Sequence, residues 1–432
     1  MKYKQIPGCL LIFAILFGAQ VSVAAQNVFP AKVNLSNEDV VLRWNRVLKE
    51  TILAGAHPSA TIFPVRTYAM MHLAMFDAVN SIDGGYTPYL TDVPGSKNAS
   101  IDAAAAKAAR DVLAGLYPSR TEIYDAELAA SLEGIEPNRA QQGFRVGEIA
   151  AAQMLAARAA DGWTVTLIPP YSLPLSPGNW QPASPQNAAA TFTHYPAVLP
   201  FALTSNSQFA VPPPPALTSA RYGTDFNEVK ALGGATSATR TAEQAQIARL
   251  WAGVGTPTNP FLTWNNVARY VSIARNLSTV ENARLFALFN MAVHDQLLTS
   301  FTGKFDYGLW RPVTAIRRAD EDGNPATEPD ATWLALVPNP PYPSYPGNMA
   351  GIGAAQSTML ALVFGRDDIA FEHTWEGAGG ATRLYTSFTQ MGQEQSDARI
   401  YGGIHYRFDN EAGQSVGRNV SNYVFLNYLR PR

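Results

Sequence analysis

Ala69-Met-Met-His-Leu-Ala-Met-Phe-Asp77 and Ala287-Leu-Phe-Asn-Met-Ala-Val-His-Asp295 decide the fold class of this chain. Both are runs of Ala, Met and Leu without proline or glycine, residues that lose little freedom in a helix. Their surroundings extend the helical periodicity over 66–82 and 280–301. Similar patterns cover 40–54, 101–116, 120–132, 141–160, 241–253, 260–274, 351–364, 383–395 and 414–429, with a capping-box start at Ser36 and Asp39. So many helical segments leave little room for a sheet, and the chain is expected to be all-α. The two quoted stretches also share alanines, apolar positions and a final aspartate in register. That is either an echo of two related halves or the coincidence of two buried helices.

The chain has 432 residues, 47% of them hydrophobic, and a formal net charge of −2. This length supports a large core, and the near-neutral charge argues against a nucleic-acid surface. Lys2 and Lys4, the apolar stretch from Leu10 to Phe17 and Val23-Ala24-Ala25 read as a secretory signal over 1–25, with a retained anchor as the alternative. The single cysteine, Cys9, falls inside that segment, so the mature chain is expected to be periplasmic or secreted, free of disulfides and without a membrane span. Residues 164–220 hold 12 of the 31 prolines and read as a Pro-rich arm joining an N-terminal helical half, 26–163, to a C-terminal one, 221–432. Trp180, Phe192, Tyr195, Phe201 and Phe209 predict that this arm is anchored on the core, since exposing them all is costly.

Chemistry concentrates near the C-terminus. Lys304 precedes Arg311 by seven positions, which on a helix returns to nearly the same face about 10 Å further along. Phe305, Tyr307, Leu309 and Trp310 between them make apolar ground, unlike the usual setting of solvated surface charges. Arg399 then precedes His405 by six, with Gly402-Gly403 between them, a break that lets backbone approach a ligand. Asp409, four residues after His405, is placed to hold the Nδ1 proton and leave Nε2 as a lone pair; a buried structural His–Asp pair is the plainer alternative. Three cations and a carboxylate-oriented imidazole suit one task, holding a multiply charged tetrahedral anion while histidine attacks or ligates its centre.

Lys304-x6-Arg311-Pro312, the Tyr345-Pro-Gly-Asn-Met349 turn and Arg399-x5-His405-x3-Asp409 together resemble the vanadium-dependent haloperoxidases and type 2 phosphatidic acid phosphatases. The likeness is greatest to the secreted bacterial haloperoxidase-like branch and extends over 66–89, the Trp180 region, 240–251 and 401–413. It implies two packed four-helix bundles. It further implies that Lys304, Arg311 and Arg399 bind the equatorial oxygens of vanadate, with phosphate as a competing anion. His405 would be the axial ligand, or the nucleophile of a phosphatase, and Asp409 would orient it. Hydrogen peroxide, a halide and a small organic substrate are the implied partners of a peroxidase, and a phosphate monoester that of a phosphatase.

The middle motif departs from the family's Pro-Ser-Gly-His turn. Gly347 stands at the serine, Asn348 at the glycine, and Met349 at the acid–base histidine. Methionine cannot exchange a proton, whereas the Gly347 N–H and the Asn348 amide remain expected donors to an anion. Of the other histidines, His294 lies about 15 Å along a continuous helix from Lys304 and His72 belongs to the other half. His373, in a loop at 372–375, is the candidate to replace the missing base. Three functions follow: a haloperoxidase, a histidine-nucleophile acid phosphatase limited to good leaving groups, or a catalytically impaired oxyanion-binding homologue.

Overall fold

The structure, a computed structural model, describes residues 38–56, 64–93, 97–183, 185–253, 260–375 and 380–432. The expected signal segment, Ser36 of the expected capping box, and His57 lie outside them. Among the described residues the chain is predominantly helical, in keeping with the all-α expectation: α1 (Val40–Thr51), α2 (Pro64–Asp83), α3 (Ile101–Leu116), α4 (Thr121–Ser131), α5 (Pro137–Ala157), α6 (Ala220–Gly233), α7 (Ala242–Ala252), α8 (Pro260–Ala274), α9 (Thr279–Tyr307), α10 (Pro312–Arg317), α11 (Asn348–Phe364), α12 (Phe388–Tyr401) and α13 (Arg407–Asn427). No helix among them is long and apolar enough to cross a membrane.

Local chemistry explains the boundaries. Asp39 caps α1 by accepting the Leu42 N–H at 2.9 Å. Ser278 and Glu281 form a reciprocal capping box at the start of α9, and Gly308, at φ 58°, ends that helix in a left-handed turn. α2 and α9 are buried along nearly their whole lengths, their polar side chains included. They pack on each other, with α3 and α5 beside α2, α11 and α13 against α9, and α12 against α11.

The echo between the two opening sequences has a structural counterpart. Asp77 accepts the backbone N–H groups of Tyr89, Leu90 and Thr91 at 2.7–3.0 Å. Asp295 does the same for Phe201, Ala202 and Leu203 at 2.6–2.9 Å. The same device, a buried helix carboxylate gathering three successive amides, is thus used once on each of two helices packed together.

The Pro-rich arm is packed as its aromatics predict: Trp180, Phe192, Tyr195 and Phe201 are buried, and Phe209 is half-buried against the core. Asp295 of α9 ties down its 201–203 stretch. An antiparallel bridge between Asn179 and Leu309 ties it to the segment leaving α9.

Three expectations need correction. The 383–395 helix begins only at Phe388, because Thr382–Tyr385 pairs antiparallel with Phe371–Thr374 as a two-stranded sheet, β2 on β1. His373 therefore sits on a strand rather than in a loop. Helix α6 was not anticipated; its Tyr222, Phe226 and Val229 form a second core with Trp310, Ile400 and Tyr406. The last helix starts at Arg407 instead of residue 414.

Close backbone contact sets the position of α11. A Cβ at Gly413 would lie 2.0 Å from the Gly347 carbonyl oxygen, and one at Gly417 would lie 2.2 Å from that of Gly351. Only glycine lets α13 approach α11 this closely. Gly417→Ala should therefore cost about 1–3 kcal/mol of stability through overpacking. Thermal or urea unfolding reads this directly, and an unchanged midpoint would show that the helices can separate freely.

Candidate functional site

Lys304, in the last turn of α9, is completely buried. Its ammonium donates to the carbonyl oxygens of Pro343, Ser344 and Pro346 at 3.0, 2.8 and 2.6 Å. All three of its hydrogens are thus engaged by the turn that contains the cis Tyr345–Pro346 bond. Burial, then the nearby Arg311, pulls this amine well below its ordinary range, while Asp409 opposes them.

Lys304 and Arg311 do not share a helix face. Gly308 stops α9, and Arg311 is the extended residue before Pro312 opens α10. The tertiary structure nevertheless brings the two cations together over one ring, with Lys304 Nζ 5.3 Å and Arg311 Cζ 5.0 Å from the centre of Tyr342. Arg311 donates from Nε to the Tyr342 carbonyl at 2.9 Å and from Nη1 to that of Ile404 at 2.8 Å. Its Nη1 also faces His405 Nε2 at 3.1 Å. Its Nη2 is buried with no partner.

Arg399 comes from the last turn of α12, and its Nε and Nη2 are likewise buried without partners. The Gly402-Gly403 turn after it serves packing rather than a ligand. Gly403 has φ 79°, and a Cβ there would lie 2.3 Å from the Gly233 carbonyl of α6. This contact directs the chain back so that His405 precedes α13.

His405 is 1% exposed. Its Nδ1 lies 2.9 Å from Asp409 Oδ2, which also accepts the Ser344 hydroxyl at 2.5 Å and the Tyr406 N–H at 3.1 Å. Asp409 reaches the ring as the third residue of α13, with His405 just outside the helix, so the expected pair forms by a capping geometry. The carboxylate fixes the proton on Nδ1, and the Arg311 N–H at Nε2 requires a lone pair there. Burial, then Arg311, Lys304 and Arg399, hold this imidazole well below its usual range, so it is neutral. Burial pushes Asp409 up to about 6, against the lowering effect of Ser344 and Lys304.

Asn348 and Met349 form the first turn of α11, which begins three residues earlier than expected. The Asn348 side chain is fully buried, and both its amide atoms lack partners. The Gly347 N–H, expected to face an anion, instead donates to the Asp409 carbonyl at 2.7 Å. That bond joins the turn to α13.

A cavity of about 1060 Å³ opens onto this group, lined by Tyr342, Asn348, Met349, Arg399 and His405, and further out by Trp163, Phe192, Trp251, Pro340 and Arg66. Lys304 and Arg311 stand behind that wall. Burial lowers the Arg311 and Arg399 guanidiniums to about 10, so both remain cationic at neutral pH.

His72, His294 and His373 fall elsewhere. His72 bonds Asn45 at 2.9 Å, and His294 bonds Asp295 at 2.9 Å. His373 packs edge-on against Trp375, outside the cavity lining, so it does not supply the missing base. Among the cavity residues that sequence reasoning missed, two stand at its polar groups. Tyr342 sets both cations, and His194, in the arm, lines the cavity with its Nε2 3.2 Å from the Trp163 carbonyl. The signal for His194 was its place between Phe192 and Tyr195, two aromatics already expected to anchor the arm.

Four unpartnered donor atoms, Arg311 Nη2, Arg399 Nε and Nη2, and Asn348 Nδ2, accompany a neutral imidazole whose Nε2 lone pair faces Arg311 Nη1. Buried donors without acceptors are costly unless a ligand supplies them, and this set fits a multiply charged oxyanion such as vanadate or phosphate. The fold and site thus define a predominantly helical protein with a cationic pocket carrying one carboxylate-held histidine. Its C-terminal part matches the family model of the VCPO second helical-bundle domain over residues 284–431. Vanadium chloroperoxidase of Curvularia inaequalis is 24% identical over 507 aligned residues, covering 88% of this chain and 80% of the relative. The crystal structure of the first bacterial vanadium-dependent iodoperoxidase superposes with a TM-score of 0.78 at 25% identity, covering 93% of this chain and 99% of that one. Holo-type bacterial vanadium-dependent chloroperoxidase shares the fold, with a TM-score of 0.68 at 16% identity over 91% of this chain and 98% of its own. Residues 284–431 thus carry the family's second helical-bundle domain, and the chain as a whole is similar to the vanadium haloperoxidases.

Proposed function

We propose that this protein is a vanadate-dependent haloperoxidase that oxidises halide with hydrogen peroxide, with Met349 where its relatives' turn is expected to carry an acid–base histidine. The observation that carries the reading is the set of buried, unpartnered donors around the lone pair of His405 Nε2. In this reading Arg311, Arg399 and Asn348 hold the anion's oxygens, and His405 Nε2 is its nitrogen ligand. Asp409 keeps the Nδ1 proton and ring orientation. Lys304 adds charge and holds the 343–346 turn in place.

Bound vanadate would supply Lewis acidity toward peroxide. The chain contributes position, charge neutralisation and a largely apolar cavity. With methionine at 349, the turn itself offers no side-chain base for peroxide deprotonation, which predicts slow turnover: a placed acid–base group is worth about 10²–10⁴ in rate. The N-terminal segment supports export to the periplasm or medium.

A second reading rests on the same lone pair. With a phosphate monoester, His405 is the nucleophile and only good leaving groups depart, because Met349 cannot protonate them. One titration separates the two. Vanadate at about 100 times its Kd should stabilise the fold by about 2.7 kcal/mol. It should also confer peroxide-dependent bromination of a dye, with phosphate competing in both measurements. Cleavage of para-nitrophenyl phosphate, with no oxidation in the presence of vanadate, would transfer the assignment to the phosphatase.

A further inference from the structure

We propose that Met349 is a self-oxidation site: peroxide activated in the cavity transfers oxygen to its thioether before it reaches any other methionine of the described fold. The inference rests on the peroxidase reading and adds a covalent fate for this residue. Met349 lies in the first turn of α11 and shares the cavity wall with Asn348, Arg399 and His405. It is 5% exposed, whereas Met70, Met71, Met75, Met154, Met291, Met359 and Met391 are 0–1% exposed, and none of those seven lines the cavity. The sulfur therefore places a thioether in the wall beside the residues that would hold an anion.

The step balances with peroxide as the only oxidant. A sulfur lone pair takes one peroxide oxygen, the O–O bond breaks, an S–O bond forms, and the second oxygen leaves as water after proton transfer. Sulfur loses two electrons and peroxide gains two. The product is a polar, chiral sulfoxide whose oxygen is a hydrogen-bond acceptor. It would arise in a wall whose Asn348 and Arg399 donors have no protein acceptor, so it competes with an incoming anion for them. Oxidation thus makes the site self-limiting: the more it activates peroxide, the more it weakens its own hold on the anion.

The test is peptide mass spectrometry of full-length protein held in dilute peroxide, with and without vanadate, with free methionine present as a monitor of oxidant in bulk solution. We expect vanadate to speed sulfoxide formation at Met349 at least about tenfold more than it speeds oxidation of free methionine. The seven core methionines should stay unmodified, and excess phosphate or His405→Ala should remove the acceleration. Equal rates at Met349 with and without vanadate, or acceleration no greater than that of free methionine, overturn the proposal. Vanadate binding and dye bromination with Met349 left intact overturn it while leaving the peroxidase reading in place. Absence of vanadate binding, measured separately by equilibrium dialysis, removes both.

Discussion

His405→Ala is expected to abolish vanadate-dependent oxidation while leaving the protein folded. The substitution removes the nitrogen ligand, so the loss should reach the background of the uncatalysed reaction. Structural damage should stay modest because each partner keeps other bonds. Arg311 Nη1 retains the Ile404 carbonyl, and Asp409 Oδ2 retains the Ser344 hydroxyl and the Tyr406 N–H. About 1–3 kcal/mol of stability is the expected cost of leaving buried groups incompletely paired. Dye bromination and vanadate affinity, followed beside a thermal melt, distinguish these effects. Retained oxidation in a folded variant would remove His405 from the ligand role.

Met349→His is expected to act in the opposite direction, raising turnover by about 10²–10⁴ if proton transfer limits the rate. The side chain enters at the cavity wall rather than in the closed core, so a ring of similar volume can be accommodated without overpacking. Its environment should keep it neutral, since burial lowers both His405 and His194 and the Arg399 guanidinium adds repulsion to a second imidazolium. A neutral imidazole is the form that accepts a proton from incoming peroxide. The gain should therefore persist at neutral pH and fade as acid protonates the ring. Met349→Leu, which supplies bulk without a base, should show no gain. An unchanged rate in the histidine variant would mean that deprotonation was never the slow step.

Both predictions rest on geometry that sequence spacing described only in part. His405 and Asp409, four apart, suggested successive turns of a helix. The pair forms, yet His405 lies outside α13 and Asp409 is the residue that caps it. Lys304 and Arg311 suggested one helical face, and Gly308 together with Pro312 prevents that. They still converge because Tyr342 and the 343–346 turn, distant in sequence, meet both. Periodicity could not foresee this, since it reports only neighbours along one element.

The Gly347 amide shows the same limit from another side. A turn glycine before a helix suggests an available N–H, but α13 approaches closely enough for the Asp409 carbonyl to engage it. The expectation for His373 failed for a different reason. Its short β-strand depends on pairing with residues 382–385, a tertiary choice that local pattern did not disclose.

The amino-acid sequence by itself determined the helical class, the anchoring of the Pro-rich arm and the identity of the converging cations and imidazole. These follow from side-chain chemistry and local periodicity. Only the tertiary structure decided which donors remain without partners, because hydrogen-bond satisfaction depends on atoms brought together from distant segments. By that measure the three cations divide. Lys304 is occupied by carbonyls, while Arg311 and Arg399 each keep buried N–H groups for an anion.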